Sequence, residues 1–275
     1  MIRRIATAVF FVVVMLGGLY GGRYSFVLLF ALITALCLWE FYTLALTRNN
    51  RRDLIRVFLG LMLGLMPFIL SSIIQLDLAI NRSDFVAVSS ILIFPLIFLA
   101  FIYELYMDSA RPFENVAYLL LGMIYIGVPF ALLDFIAFDG NYFHADTVFG
   151  LLLMTWANDT GAYVIGSRLG RHKLFPRISP KKTWEGSFGG LAVTLLIAVV
   201  LGFFFHELTW ANWLILGLIV VVFGSFGDLV ESMLKRSFEV KDSGHILPGH
   251  GGLLDRFDGF IFLLPYASAY ILFIR

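Results

Sequence analysis

Nine stretches of this chain are each apolar enough, over enough residues, to cross a lipid bilayer, and that leaves few folds open. They run approximately over 5–22, 24–46, 54–78, 85–107, 115–138, 147–168, 186–206, 211–234 and 253–274. A helix crossing a hydrocarbon core of about 30 Å needs roughly 20 mainly apolar residues. Inside lipid every backbone N–H and C=O must be paired within a helix or a closed barrel. The chain shows no alternation of the barrel kind. The expected fold is therefore an all-α polytopic membrane helix bundle of about nine transmembrane helices. Composition agrees, with 60% hydrophobic and 14% charged residues among 275, where soluble chains carry about 25% charged. Arg3 and Arg4 before the first apolar run resemble the start of a signal peptide. No small-x-small cleavage site follows, so that run is read as a retained helix. Gly21, Gly22 and Arg23 make the link to the second span very short.

An odd number of spans puts the termini on opposite sides, and the basic residues choose the sides. The N-terminus and the loops after spans 2, 4, 6 and 8 hold Arg3, Arg4, Arg48, Arg51, Arg52, Arg56, Arg111, Arg168, Arg171, Lys173, Arg177, Lys181, Lys182, Lys235, Arg236, Lys241 and Arg256. The opposite side keeps Arg23, Arg82 and Arg275. An excess of Lys and Arg marks the cytoplasmic face. Asp77, Asp84, Asp134, Asp139, Asp146 and Glu207 fall mostly on the far side, in short loops. Cys37 is the single cysteine, which excludes a disulfide framework and a cysteine metal site.

Residues 1–138 read as N-terminal transmembrane helices, and residues 139–275 as C-terminal catalytic helices with cytoplasmic loops, because the polar clusters gather in the second part. An ionisable residue at membrane depth costs about 2.5–3.5 kcal/mol on insertion scales and usually faces the bundle interior. Asp159 lies in WANDTGAY, Asp228 in GSFGDLVES, and Asp255 and Asp258 open the last span in LLDRFDG. Asp228, Glu231, Ser232 and Lys235 share one helical face by spacing, as do Asp255 and Asp258. Asp228 precedes Lys235 by seven residues, about 10 Å at 1.5 Å per residue. Spans 8 and 9, as antiparallel neighbours, can bring three carboxylates together near the cytoplasmic boundary. Hard divalent cations take such oxygen ligands, and Mg²⁺ usually binds one or two carboxylates plus substrate phosphates. The competing reading is an inert ion-pair network with Arg256, Lys235 or Lys241.

The loops between these helices carry the opposite charge. SRLGRHKLFPRISPKKTWEG holds six basic residues, and KRSFEVKDSGHILPGHGG ends on glycines directly before the last span. Gly249, Gly251 and Gly252 can turn backbone N–H groups toward an anion, and a helix N-terminus is a ready anion site. Topology alone accounts for Arg168, Arg171 and Arg177; it explains less well the run Ser179–Gly186 and the sequence His250-Gly251-Gly252. There is no G-x-x-x-x-G-K-[ST] run, so this is not a P-loop protein. Spacing and charge alone point to metal-dependent phosphate chemistry at the cytoplasmic face.

The segment SMLKRSFEVKDSGHILPGHGGLLDRFD, residues 232–258, resembles the signature of the phosphatidate cytidylyltransferases, or CDP-diacylglycerol synthases. Ser232, Lys235, Arg236, Lys241, Asp242, Pro248, His250, Gly251, Gly252, Asp255, Arg256 and Asp258 carry the likeness at the family spacing. GDLVES, WANDTGAY and SPKKTWEG resemble family motifs as well. The resemblance covers roughly residues 156–258. It implies transfer of CMP from CTP to phosphatidate, giving CDP-diacylglycerol and pyrophosphate, with Mg²⁺ as cofactor. It also implies metal ligands at Asp228 and Asp255, supported by Asp258 and Asp159, and catalytic roles for Asp228, Asp255, Lys235 and Arg256. Substrate binding would fall to Ser179, Lys181, Lys182, Thr183, Arg236, Lys241, His250, Gly251 and Gly252. Partners would be CTP, phosphatidate and membrane lipid, with no nucleic acid. Similar proteins form dimers through membrane helices, so a homodimer is an implied assembly. The implied location is the bacterial inner membrane, with the site facing the cytoplasm.

A CTP-dependent lipid-alcohol kinase would share nucleotide and metal and is the alternative. The CDP-alcohol phosphotransferases need a D-G…A-R…G…D…D spacing, which the residues after Asp258-Gly259 do not supply. A transporter commonly shows paired repeats and polar groups at the midplane; here no repeat is visible and the polar groups gather at one face.

Overall fold

The computed structural model describes residues 2–46, 54–79, 81–107, 109–244, 246 and 251–275. They form two compact units, Met1–Asp134 with Asp242–Leu254, and Phe135–Lys241 with Asp255–Arg275.

The first unit opens with α1 (Ile2–Tyr20) and α2 (Arg23–Leu46). Gly22 turns the chain between them at φ +107°. Ser25 Oγ donates to the Gly18 carbonyl at 3.1 Å, filling an acceptor that the end of α1 leaves open, and to the Gly22 carbonyl at 2.7 Å. Then come α3 (Leu54–Gln75), α4 (Arg82–Tyr106), α5 (Pro112–Gly122), a π-turn at Met123–Gly127 and α6 (Val128–Ala137). Tyr42 on α2 organises this unit. Its ring is wholly buried and packs where Gly60 and Gly122 leave room; a Cβ there would come within 2.7 and 2.5 Å of the ring. Its hydroxyl donates to the Leu119 carbonyl at 2.8 Å. Small residues let membrane helices approach this closely.

Two charges differ from their expected places. Arg56, expected among the solvated basic flanks, is buried in α3, ion-paired with buried Glu104 of α4. Asn115 Nδ2 donates to the same carboxylate at 3.0 Å. Asp134, expected in a far-side loop, is fully buried in α6, where Ser72 Oγ donates to it at 2.8 Å. Each has found a partner inside the unit, as a buried charge requires.

The second unit contains a hairpin of β1 (Phe138–Asp139) and β2 (Tyr142–Phe143), then α7 (Ala145–Leu169). A second hairpin follows, β3 (Lys173–Phe175) and β4 (Ser179–Thr183), and then α8 (Trp184–Phe204). Next are α9 (Trp210–Ile219), a π-turn at Val220–Gly224, α10 (Ser225–Ser237) and α11 (Leu254–Ile274), which lies in this unit from Asp255 on. Glycines again set the helix approaches. Gly161 of α7 faces Gly189 of α8, and Gly166 faces Gly186. At the crossing of α10 with α11 a Cβ on Gly227 would lie 2.6 Å from the Asp258 carbonyl oxygen. On α9, Trp213 is fully buried against Gly150.

The chain is an all-α polytopic membrane protein. Seven helical stretches are long and apolar enough to cross a membrane, namely α2, α3, α4, α5 through α6, α8, α9 through α10, and α11. Two of the nine expected spans fall short of that measure among the described residues. In α1 the apolar helix counted there is Val9–Tyr20. The other is α7, whose sequence includes Asn158, Asp159, Thr160, Ser167 and Arg168, and it falls short because part of it faces a polar cavity. The hairpin β3–β4 sits where a loop is expected.

Candidate functional site

The second unit holds a cavity of about 600 Å³, within the range of small-molecule sites. Asn158, Asp159, Tyr163 and Ser167 of α7 line one side. Lys173, Ser179, Lys181, Lys182 and Thr183 of the hairpin line another, and α10 contributes Ser225 and Asp228. The glycines that clamp α7 to α8 also border it, at Gly166 and Gly186.

The hairpin is fixed at its base. Glu185, in the first turn of α8, accepts from the backbone N–H of Arg171 at 3.1 Å and of His172 at 3.2 Å. Its Oε1 also lies 2.6 Å from His172 Nδ1. Trp184 N–H closes onto the His172 carbonyl at 2.9 Å. Thr183 caps α8, its hydroxyl accepting from Gly186 N–H at 3.2 Å. These bonds hold Lys181 and Lys182 at the cavity wall. Lys182 Nζ reaches across to Asp228 Oδ2 at 2.6 Å and to the Ser225 carbonyl at 3.3 Å. Ser232 Oγ donates to the other Asp228 oxygen at 3.3 Å.

A second charged group stands between α10 and α11. Lys235 Nζ is 2.7 Å from Asp255 Oδ1 and ion-paired with Glu231. Glu231 is completely buried, and Asp255 and Lys235 nearly so. Asp258, one turn along α11, takes the Gly259 N–H at 2.7 Å. It lies within electrostatic range of Asp228, Asp159 and Lys235. Asp159 in turn feels Asp228, Lys182 and Arg256.

The predicted residues therefore fall into groups. Asp159, Asp228, Ser179, Lys181, Lys182 and Thr183 meet at the cavity, with Asp258 and Arg256 within electrostatic range. Asp228 and Asp255 close on different lysines rather than on one another. Arg236 is exposed, its Nη1 donating to the Val240 carbonyl at 3.4 Å, and Lys241 is exposed. Gly251 and Gly252 belong to the first unit, where Gly251 adopts φ +83°. His250 lies outside the described residues. In the first unit the Leu254 N–H, at the start of α11, donates to Glu40 at 2.8 Å, so a carboxylate already occupies a place expected to receive phosphate.

Sequence reasoning missed Asn158, Lys173 and Ser225 as lining residues, and Glu231 as the buried partner of Lys235. For Glu231 a signal was present, since it shares a helical face with Asp228 and Lys235. For Lys173 there was none, because its charge alone reads as topology.

The donor set suits a hard cation. Three carboxylates within electrostatic range of one another, Asp159, Asp228 and Asp258, come from three helices. Among the described residues no three of His, Cys, Asp and Glu are placed to hold an ion by themselves.

Comparison with known proteins identifies the family. Residues 2–274 match the model of the Cytidylyltransferase family. The phosphatidate cytidylyltransferase of Bacillus subtilis (strain 168) is 35% identical over 267 residues, 96% of this chain and 95% of the relative. That of Staphylococcus haemolyticus (strain JCSC1435) is 41% identical over 204 residues, 72% and 76% of the two chains. That of Staphylococcus aureus (strain COL) is 42% identical over 170 residues, 61% and 64%. With residues 2–274 matched to the family model and a 35% identical relative aligned over nearly the full length of both chains, the chain belongs to the cytidylyltransferase family.

Proposed function

We propose that the protein transfers CMP from CTP to phosphatidate, forming CDP-diacylglycerol and releasing pyrophosphate. The observation that carries this reading is the facing of a lysine-bearing hairpin and helix-borne carboxylates across one cavity, in a family member that spans a membrane. Lys173, Lys181 and Lys182 supply the positive charge a triphosphate needs. A phosphatidate oxygen attacks the α-phosphorus of CTP. The new P–O bond forms as the bond to the pyrophosphate oxygen breaks, and the electron pair leaves with pyrophosphate. No protein nucleophile is required, so the side chains position and neutralise. Lys182 holds Asp228 in place until substrate arrives, and the same lysine can then turn to a phosphate oxygen.

Mg²⁺ is the cofactor we assign, held by Asp228 and Asp159 with Asp258 and Asp255 in support. When bound it would neutralise phosphate charge in both ground and transition states. The site faces the cytoplasm of a bacterial inner membrane, a reading supported by the excess of Lys and Arg on one set of loops.

The test uses purified protein in detergent with phosphatidate and two labelled forms of CTP. Cytidine label should enter the lipid and pyrophosphate should be released, both only with phosphatidate and Mg²⁺. Transfer of the terminal phosphate instead, with cytidine left as CDP, would mean a kinase and would refute the proposal.

A further inference from the structure

Glu40 is a carboxylate in the C-terminal third of membrane helix α2, 2% exposed, in the N-terminal part of the chain to which the charged motifs assign no role. Burying it there is expensive unless its oxygens are satisfied. Its partners come from more than two hundred residues away, in the segment that carries the glycine-rich motif. Glu40 Oε2 accepts the Leu254 N–H at 2.8 Å, and Ser243 Oγ lies 3.5 Å from the same oxygen. Gly244 and Gly252 press against it so closely that a Cβ on Gly244 would overlap Oε1, and one on Gly252 would lie 2.6 Å from Oε2. One carboxylate thus grips the segment where it enters, at Ser243 and Gly244, and where it leaves, at Gly252 and Leu254. It also places negative charge at the N-terminus of α11, where the helix dipole favours it.

We propose that Glu40 is a positioning residue for catalysis, a staple from α2 that holds Ser243–Gly244 and Gly252–Leu254 and so fixes the backbone from which Asp255 emerges. Leu254 is the first residue of α11 and Asp255 the next, so a shift of the held N–H is passed directly to the Asp255 backbone. A helix cap needed only for stability could be met by a neutral Ser or Asn next in sequence. A buried acid from a distant helix instead ties two ends of one motif to a single point. This inference rests on the cytidylyltransferase reading.

The test compares Glu40→Gln with wild type, measuring kcat, KM for CTP and melting temperature in the same detergent. Glutamine keeps the shape and one acceptor oxygen but loses the charge that the converging donors and the α11 dipole hold. Misplacement by about 1 Å can cost about 10²-fold, so kcat per folded molecule should fall between tenfold and a hundredfold. KM for CTP should stay within about twofold, since the nucleotide cavity is formed elsewhere. Gly244→Ala is the second variant, because it displaces the carboxylate while leaving Glu40 in the chain. It should reproduce the kcat loss, and the double variant should be little worse than either. Wild-type turnover per folded molecule in either folded variant would overturn the proposal, as would losses that multiply in the double. An inactive wild type would instead refute the reaction itself.

Discussion

Gly227→Ala tests whether the helix crossing beside Asp228 sets the chemistry. A methyl at this position would lie 2.6 Å from the Asp258 carbonyl oxygen, 2.7 Å from Phe262 Cβ and 2.8 Å from Gly259 Cα. All three are backbone or backbone-anchored atoms, so none can swing aside. Ordinary contact begins at 3.4 Å, so α10 and α11 must part by about 0.8 Å in a close-packed region. Overpacking of this kind costs about 1–3 kcal/mol of stability. The rate should suffer more, because Asp228 follows Gly227 and Asp258 precedes Gly259, so both carboxylates move with the crossing. A displacement near 1 Å can cost about 10²-fold in rate. The assay is Mg²⁺-dependent release of pyrophosphate from CTP with phosphatidate, normalised to folded protein and read beside the melting temperature. Near-normal turnover from a folded but less stable variant would refute the argument that this crossing sets carboxylate geometry.

Other perturbations separate binding from chemistry. Asp228→Asn should cut turnover by orders of magnitude and leave Lys182 without its acid; an Asp228→Asn enzyme with wild-type Mg²⁺ dependence would remove Asp228 from the metal set. Glu185→Ala frees the backbone N–H groups of Arg171 and His172 and should raise KM for CTP several-fold, with faster hydrogen exchange in the hairpin, whereas Arg171→Ala keeps its N–H bond and should change little. His144, between β2 and α7, has its pKa lowered by burial and by repulsion from Arg275, opposed by Glu207 and Asp139. A lowered histidine pKa contributes nothing while both states are neutral and destabilises as pH falls through the ordinary histidine range, because the unfolded chain takes up the proton first; the melting temperature should drop there, and His144→Gln should flatten the drop.

The apolar spans were legible because lipid imposes a length and a composition on every crossing helix. The same rule explains α7, whose polar residues are the cavity wall, so the least apolar expected span carries part of the site. The charged motifs were legible as chemistry because no membrane helix gains from Asp159, Asp228 or Asp258 without a ligand or a partner. Their pairing was not. Which lysine closes on Asp228 depends on the hairpin that turns Lys182 toward α10. That hairpin depends on Glu185 catching two backbone N–H groups, a contact with no periodicity to announce it.

Glycines carry the remaining information, and sequence alone does not say what each is for. Gly227 and Gly259 read as ordinary small residues in apolar helices, yet they let α10 and α11 approach until their neighbouring acids share one field. Gly252 reads as part of an anion nest, yet the room that it and Gly244 leave is filled by Glu40. A helix dipole and a set of converging donors accept any carboxylate of the right reach, whether it comes from substrate or from the chain. At the start of α11 the chain has supplied its own. In the proposed reaction the phosphate-binding charge would then come chiefly from lysines at the cavity, with Gly244 and Gly252 making room for Glu40 just ahead of Asp255.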